Sequence, residues 1–215
     1  IDTPIIELSD VLLAKAGGET EKQIYRFEKG DTDLSLRFDL TVPLAKYVAK
    51  NYGNLSFPFR RYQIGKVYRG ERTQKGRFRE FYQCDIDVIG DGELSILNDA
   101  ELPSVIYTVF KRLGFDNFTI RINNRKLLNG LFIEIGQEDN STEILRIIDK
   151  IDKIGKEAVE SELLRLNLNK EHVKKIMKFI LIQGTNQEKL QQLEELKIEN
   201  EQFNQGLEEI KQVLK

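Results

Sequence analysis

Residues 59–90 read FRRYQIGKVYRGERTQKGRFREFYQCDIDVIG. The stretch divides into a strand over 61–69, a connection over 70–76 and a second strand over 77–89. Gly70 and Gly76 bracket a connection without an apolar residue, a turn signal between two alternating segments. Side chains alternate across a strand, so Arg77, Arg79, Phe81, Gln83, Asp85 and Asp87 share one face of the second strand. Glu80, Tyr82, Cys84, Ile86 and Val88 share the other. One face becomes apolar toward its end, and the opposite one carries cations, an amide and carboxylates. Such a polar face either is solvated, as a ladder of arginine–carboxylate pairs worth about 0–1 kcal/mol each, or lines a polar cleft.

The composition around this hairpin is that of a soluble globular protein. Of 215 residues, 40% are hydrophobic and 32% charged, enough for one large domain or two modest ones. The sequence has neither an apolar run near the length of a membrane span nor a signal-peptide pattern, which points to the cytoplasm. One cysteine excludes an internal disulfide, and with one histidine, His172, far from Cys84, no metal cage is expected. The net charge of -2 is unevenly spread. Residues 57–87 hold eight Lys/Arg against four Asp/Glu, whereas 186–215 hold four against seven. A basic hairpin in a near-neutral chain points to a bound anion more than to a broad nucleic-acid surface.

Before the hairpin, Thr3-Pro4-Ile5-Ile6-Glu7 opens in extended form, because proline disfavours helix in the residue preceding it. A short helix over 9–16 is stopped by Gly17 and Gly18. Residues 25–27 and 34–38 read as strands around the turn Lys29-Gly30-Asp31. Val42, Leu44, Ala45 and Val48 then give a helical stripe over 42–51, with Pro43 acceptable in the first turn. Asp39 and Thr41 precede that stripe. Either could cap the helix, and both could accept hydrogen bonds from a cation at a strand-to-helix junction.

After the hairpin, residues 99–113 form a helix with a stripe at Leu102, Ile106, Val109, Phe110 and Leu113 that should be buried. Phe118, Ile120 and Ile122 alternate as a strand, and 125–132 form a short helix. Beyond Gly136 the pattern changes to helices without intervening strands, over 143–154, 156–166 and 170–182, with Asn169 as a cap, and onward through Leu190, Leu193, Leu196, Phe203, Leu207 and Ile210. A domain boundary is therefore expected near Gln137, separating residues 1–136 from a helical domain over 137–215. His172 reads as a surface residue and Met177 as core. Together these elements give an α+β chain: an antiparallel sheet flanked by helices, plus an all-α insertion.

The hairpin also carries a resemblance. Tyr68-Arg69-Gly70-Glu71, followed by Gln74-Lys75-Gly76-Arg77-Phe78-Arg79-Glu80-Phe81-Tyr82-Gln83, resembles the second signature motif of class II aminoacyl-tRNA synthetases in its histidyl form. Arg37-Phe38-Asp39-Leu40-Thr41-Val42-Pro43 and Asp149-Lys150-Ile151-Asp152-Lys153-Ile154-Gly155 extend it. The chain is thus similar to a fragment of the histidyl-tRNA synthetase family. The resemblance implies ATP-dependent activation of L-histidine and its transfer to tRNA(His). It assigns Arg69 to the α-phosphate and the substrate carboxylate, as the catalytic residue. Glu71, Arg77 and Phe81 would hold ATP, through the γ-phosphate for Arg77 and by stacking on adenine for Phe81. Asp39, Thr41, Gln83 and Asp87 would accept the substrate ammonium. Magnesium would bridge the phosphates of ATP.

By the same resemblance Pro4 ends the first motif, at the interface of a homodimer. The third motif, a glycine- and tyrosine-rich segment and an anticodon-binding domain are missing from these residues, and the chain starts without methionine inside an ongoing motif. It therefore reads as a piece whose own adenylate formation should be weak or nil. A synthetase-like regulatory subunit of the ATP phosphoribosyltransferase type is the alternative. A nucleic-acid-binding module acting through the basic hairpin is another, with steep salt dependence as its signature. The sequence has no GxxxxGK[ST] or GxGxxG pattern, so no P-loop or dinucleotide fold competes.

Overall fold

The computed structural model describes residues 1–14, 19–166 and 168–215. The chain divides into two compact units, Ile1–Leu94 and Ser95–Lys215.

The first unit opens with β1 (Ile6–Leu8), α1 (Ser9–Leu13), α2 (Glu19–Lys22), β2 (Arg26–Lys29) and β3 (Thr32–Leu36). The strands form an antiparallel sheet in the order β1-β3-β2, with Ile6 opposite Leu36 and Phe27 opposite Leu34. Gly30 turns the chain between β2 and β3 at φ +60°, a conformation open to a residue without Cβ. The glycine stop expected at Gly17 and Gly18 lies outside the described residues. Next come α3 (Thr41–Asn51), a 3-10 turn over Tyr52–Asn54, β4 (Phe59–Tyr68) and β5 (Glu80–Ile89). The last two pair antiparallel over their whole length, from Phe59 opposite Ile89 to Tyr68 opposite Glu80.

The second strand of this hairpin therefore begins at Glu80, three residues later than the alternation suggests. Arg77 and Arg79 belong to the connection. The cause is a tight turn in which Gln74 bridges Arg77 around Gly76, at φ +80°. One backbone bond beyond the strands, from Arg69 N to Arg79 O at 3.0 Å, still closes the hairpin.

The alternation holds along β4 and the first half of β5, beyond which Ile86 and Val88 are half-buried like their neighbours. On β4, Arg61, Gln63, Gly65 and Val67 are buried, and Tyr62 and Ile64 are exposed. On β5, Phe81, Gln83, Asp85 and Asp87 are half-buried, and Tyr82 and Cys84 are exposed. The polar face is the inner one. It is not a solvated ladder.

The second unit holds α4 (Leu97–Arg112), α5 (Arg125–Glu134), α6 (Ser141–Ile148), α7 (Ile151–Ile154), α8 (Lys156–Arg165), α9 (Lys170–Ile180), α10 (Asn186–Glu195) and α11 (Glu201–Val213). Its core is apolar, with Leu131, Ile144, Val159, Leu163, Ile176 and Phe203 all at most 1% exposed. Two glycines let α5 and α11 cross closely. A Cβ on Gly130 would lie 2.5 Å from Phe203 N, and one on Gly206 would lie 2.9 Å from Lys126 Cβ. Asn124 and Lys126 reach from the start of α5 to the Glu209 carboxylate on α11. Asn169 caps α9 by accepting from His172 N at 2.8 Å, as its position suggests, and Met177 is core.

Four sequence readings need correction here. Ile106, Val109, Phe110 and Leu113 on α4 are exposed, although their helical spacing is that of a buried stripe. Spacing marks the apolar side of a helix without saying what covers it. Tyr107, Phe110, Phe115 and Phe118 instead cluster, with ring centroids 5.2–5.7 Å apart. Phe118, Ile120 and Ile122 form no strand, because no described segment pairs with them. The helix expected over 143–154 is two, broken where Lys150 N turns back to Ile147 O. His172 is half-buried rather than on the surface, with Nε2 3.1 Å from Asn169 Nδ2 and Nδ1 buried without a hydrogen-bond partner.

Candidate functional site

The site is built from the inner face of β4–β5 and the junction between β3 and α3. Arg69, one residue past β4, has its guanidinium carbon 4.4 Å from the Phe38 ring centre and 5.1 Å from that of Phe81. Its Nε donates to Phe38 O at 3.3 Å and its Nη2 to Gln83 Oε1 at 3.4 Å. Two aromatic faces and two acceptors fix the plane of the cation. Gln83 is oriented in turn, since its Nε2 donates to Asp85 Oδ2 at 2.9 Å. The amide oxygen is thereby turned toward Arg69.

At the other end of the hairpin, Arg61 stands opposite Asp87. Nη2 of Arg61 lies 2.8 Å from Asp87 Oδ2, with the arginine side chain 1% exposed and the aspartate 29%. The same Nη2 donates to Leu40 O at 3.3 Å, and Nη1 to Gln63 Oε1 at 3.5 Å. The ion pair is not a well-aimed hydrogen bond: Asp87 Oδ2 and Arg61 Nε are both buried without a hydrogen-bond partner. Burial pushes the Asp87 carboxyl above the usual carboxylate range. Arg61 pulls it back down, and neighbouring Asp85 adds to the rise.

Leu40 lies between Asp39 and Thr41. Oδ1 of Asp39 accepts from Thr41 N at 3.0 Å and from Val42 N at 3.1 Å, so the carboxylate caps α3. Thr41 is exposed at the helix start and Asp39 is half-buried. Capping and cation binding are compatible here, because the cap bonds engage one oxygen of the carboxylate.

Arg37 holds the junction against the hairpin. It is 2% exposed, and it donates from Nε to Lys66 O at 2.7 Å and from Nη1 to Thr3 O at 2.5 Å. Gly65 leaves room for it, since a Cβ there would stand 2.6 Å from Arg37 Nη2. Gln63, 2% exposed, donates to Thr3 Oγ1 at 3.0 Å and to Asp2 Oδ1 at 3.3 Å.

In the connection, Arg77 Nη1 lies 3.1 Å from Glu71 Oε2, and Arg79 Nε donates to Glu71 O at 3.3 Å. The arginine is 62% exposed, on the open side of the loop. On the outer face, Lys66 pairs with Glu80 at 2.7 Å, which holds the glutamate below and the lysine above their ordinary values.

Of the residues singled out from sequence, the structure joins Arg69, Phe81 and Gln83 in one cluster and Glu71 with Arg77 in another. It ties Asp87 to the Asp39–Thr41 junction through Arg61 and Leu40 O. Arg61, Gln63 and Arg37 were missed. Alternation over 61–69 puts Arg61 and Gln63 on one face but does not say that this face is inward; their pairing opposite Asp87 and Asp85 shows it. Nothing in the spacing marks Arg37 as buried.

The whole chain, residues 1–215, matches the family model described as histidyl-tRNA synthetase. It is 62% identical over 214 residues to a histidine–tRNA ligase of Clostridium tetani, covering 100% of this chain and 48% of that protein. It is 53% identical over 211 residues to one of Finegoldia magna, covering 98% and 49%. Among solved structures, histidyl-tRNA synthetase from a Nostoc species superposes with TM-score 0.87 at 40% identity, covering 100% of this chain and 48% of that one. A Bacillus halodurans protein described as an ATP phosphoribosyltransferase regulatory subunit/histidyl-tRNA synthetase gives TM-score 0.83 at 24% identity, covering 99% and 54%. The chain spans about half the length of the curated relatives it matches.

Proposed function

Because the chain belongs to the histidyl-tRNA synthetase family, we propose that it carries the part of a histidine–tRNA ligase that binds L-histidine and ATP for adenylate formation. In that reaction a carboxylate oxygen of histidine bonds to the α-phosphorus of ATP. The bond from that phosphorus to the bridging oxygen breaks, and pyrophosphate leaves with the electron pair. No side chain has to remove a proton, because the nucleophile is already an anion. Transfer of the histidyl group to tRNA(His) completes the proposed activity, in the cytoplasm and in a homodimer.

The fixed guanidinium of Arg69 carries this reading. An arginine held between Phe38 and Phe81 at the end of β4 presents its fork to phosphate and carboxylate oxygens in one orientation, as an in-line displacement at phosphorus needs. Arg77 reaches the γ-phosphate from the exposed loop, Glu71 helps hold the nucleotide and Phe81 stacks on adenine. Asp39, Thr41, Gln83 and Asp87 take the ammonium group. Magnesium would enter with the nucleotide and would supply positive charge against its phosphates. Among the described residues no group of three or more His, Cys, Asp or Glu offers it a cage of its own. Residues 137–215 are proposed as the helical insertion. No helix among the described residues is long and apolar enough to cross a membrane.

The regulatory-subunit alternative has less behind it. The likeness to the Bacillus halodurans protein shows the fold alone, and a site that only regulates has no need of Arg69, Glu71 and Arg77 together. Calorimetric titration of L-histidine, with and without ATP and magnesium, tests the proposal in this chain and in Asp87→Ala. Saturable binding in the parent that is lost in the variant is expected. Equal binding in both would remove Asp87 from the site, and binding in neither would reject the pocket as a histidine site in this chain.

A further inference from the structure

Arg61 has no part in the reading above, yet it is the most deeply buried charge on the inner face of the hairpin. Its environment is a poor one for stability alone. The side chain is 1% exposed, its Nε is unpartnered, and its one carboxylate lies at 2.8 Å without hydrogen-bond alignment. A buried ion pair of this quality is often no better than an apolar pair of the same volume. What Arg61 does that an apolar residue could not is touch two elements at once. Nη2 meets Asp87 on β5 and Leu40 O at the β3–α3 junction, at 2.8 and 3.3 Å. Leu40 is flanked by Asp39 and Thr41, whose backbone the Asp39 cap already orders.

The charges agree with a role at a cation site. Asp85 and Asp87 lie two residues apart on the inner face, and Arg61 is the cation paired with Asp87 there. The trio is one negative charge in excess, which a bound ammonium would balance. Without Arg61, burial and the neighbouring Asp85 would both favour a protonated Asp87, a poor acceptor for a cation.

We propose that Arg61 is a positioning residue for the ammonium-binding corner: it holds Asp87 and the Leu40 peptide in one arrangement, so that Asp87, Asp39 and Thr41 face the same cation. This rests on the histidine-binding reading above for the identity of that cation, but the linkage itself is testable without ligand.

The variants are Arg61→Met, which keeps the volume and removes the charge, and Arg61→Lys, which keeps the charge and loses the fork. The Thr41 amide resonance and the pH titration of the Asp87 carboxyl carbon are followed by NMR. Arg61→Met should shift the Thr41 amide and raise the Asp87 midpoint. Arg61→Lys should restore the midpoint and leave the Thr41 amide displaced, since one ammonium cannot replace both contacts of the fork. Should the methionine variant not fold, the lysine variant decides by the same pair of signals. In calorimetry Arg61→Met should weaken L-histidine by about tenfold or more and ATP within about twofold.

An unmoved Thr41 amide together with an unmoved Asp87 midpoint would overturn the linkage. So would equal weakening of histidine and ATP, which would make Arg61 a general structural residue. Failure of the parent chain to bind histidine would reject the functional reading, while the ligand-free signals would still decide whether Arg61 couples the two elements.

Discussion

The helical core around Ile144, Val159 and Ile176 and the inner face of the β4–β5 hairpin are both interiors, made by opposite chemistry. The first buries apolar side chains that interlock between helices and contribute stability in proportion to the area removed from water. The second buries Arg61, Gln63 and Arg37, and half-buries Gln83, Asp85 and Asp87. Each such group must be matched by a partner to avoid a desolvation cost of several kcal/mol for a charge. The matching is incomplete at Arg61 Nε and Asp87 Oδ2. An interior that holds charges with imperfect partners gains little stability from them. Its arrangement makes sense as a surface kept ready for a charged ligand.

The contrast should appear first in the size of mutational effects. Phe203→Ala empties the contact with Phe179 and with the close crossing at Gly130, and should cost about 3–5 kcal/mol in urea unfolding. A cost under about 1 kcal/mol would mean that the core is not packed as described. A smaller effect belongs to the cap of α11. Asn200 accepts from Gln202 N at 2.9 Å and Phe203 N at 3.2 Å, so Asn200→Ala should lose about 1 kcal/mol in the same assay.

The smallest stability effect is the most discriminating, because the two regions should respond to pH with opposite signs. The hydrogen bond from Lys126 holds Glu209 below its ordinary value, so its contribution is present above the unfolded pKa and lost as pH falls. Asp87 is raised by burial, so its contribution is fully present below the unfolded pKa and lost as pH rises through the folded value. Asp87→Asn should therefore gain stability relative to the parent as pH rises from acid to neutral, while losing histidine binding. Glu209→Gln should show the reverse trend. The same sign in both variants, in thermal melts at stepped pH, would erase the contrast.

Much of this was legible in sequence, for reasons that differ between the regions. Alternation over 77–89 identified the polar face, because period 2 is enforced by backbone geometry whatever the side chains do. It could not show that this face is inward, since burial is a property of what lies opposite. The turn at Gln74–Arg77 shortened the second strand for the same reason: pairing, not alternation, ends a strand. In the helical unit the cap Asn169 and the core residue Met177 follow local rules. The stripe of α4 and the absent strand at Phe118–Ile122 depend on partners distant in sequence. Arg61 stayed unnoticed because an arginine in a strand reads as solvent-facing until its cross-strand neighbour is known to be Asp87.

Hydrogen–deuterium exchange of the chain, with and without L-histidine plus ATP and magnesium, tests the central claim most directly. If the charged interior is a ligand surface, protection should rise at residues 38–42, 69–71 and 77–88, while the amides of α6, α8 and α9 keep their rates. Protection confined to the helical unit, or absent from both regions, would contradict it.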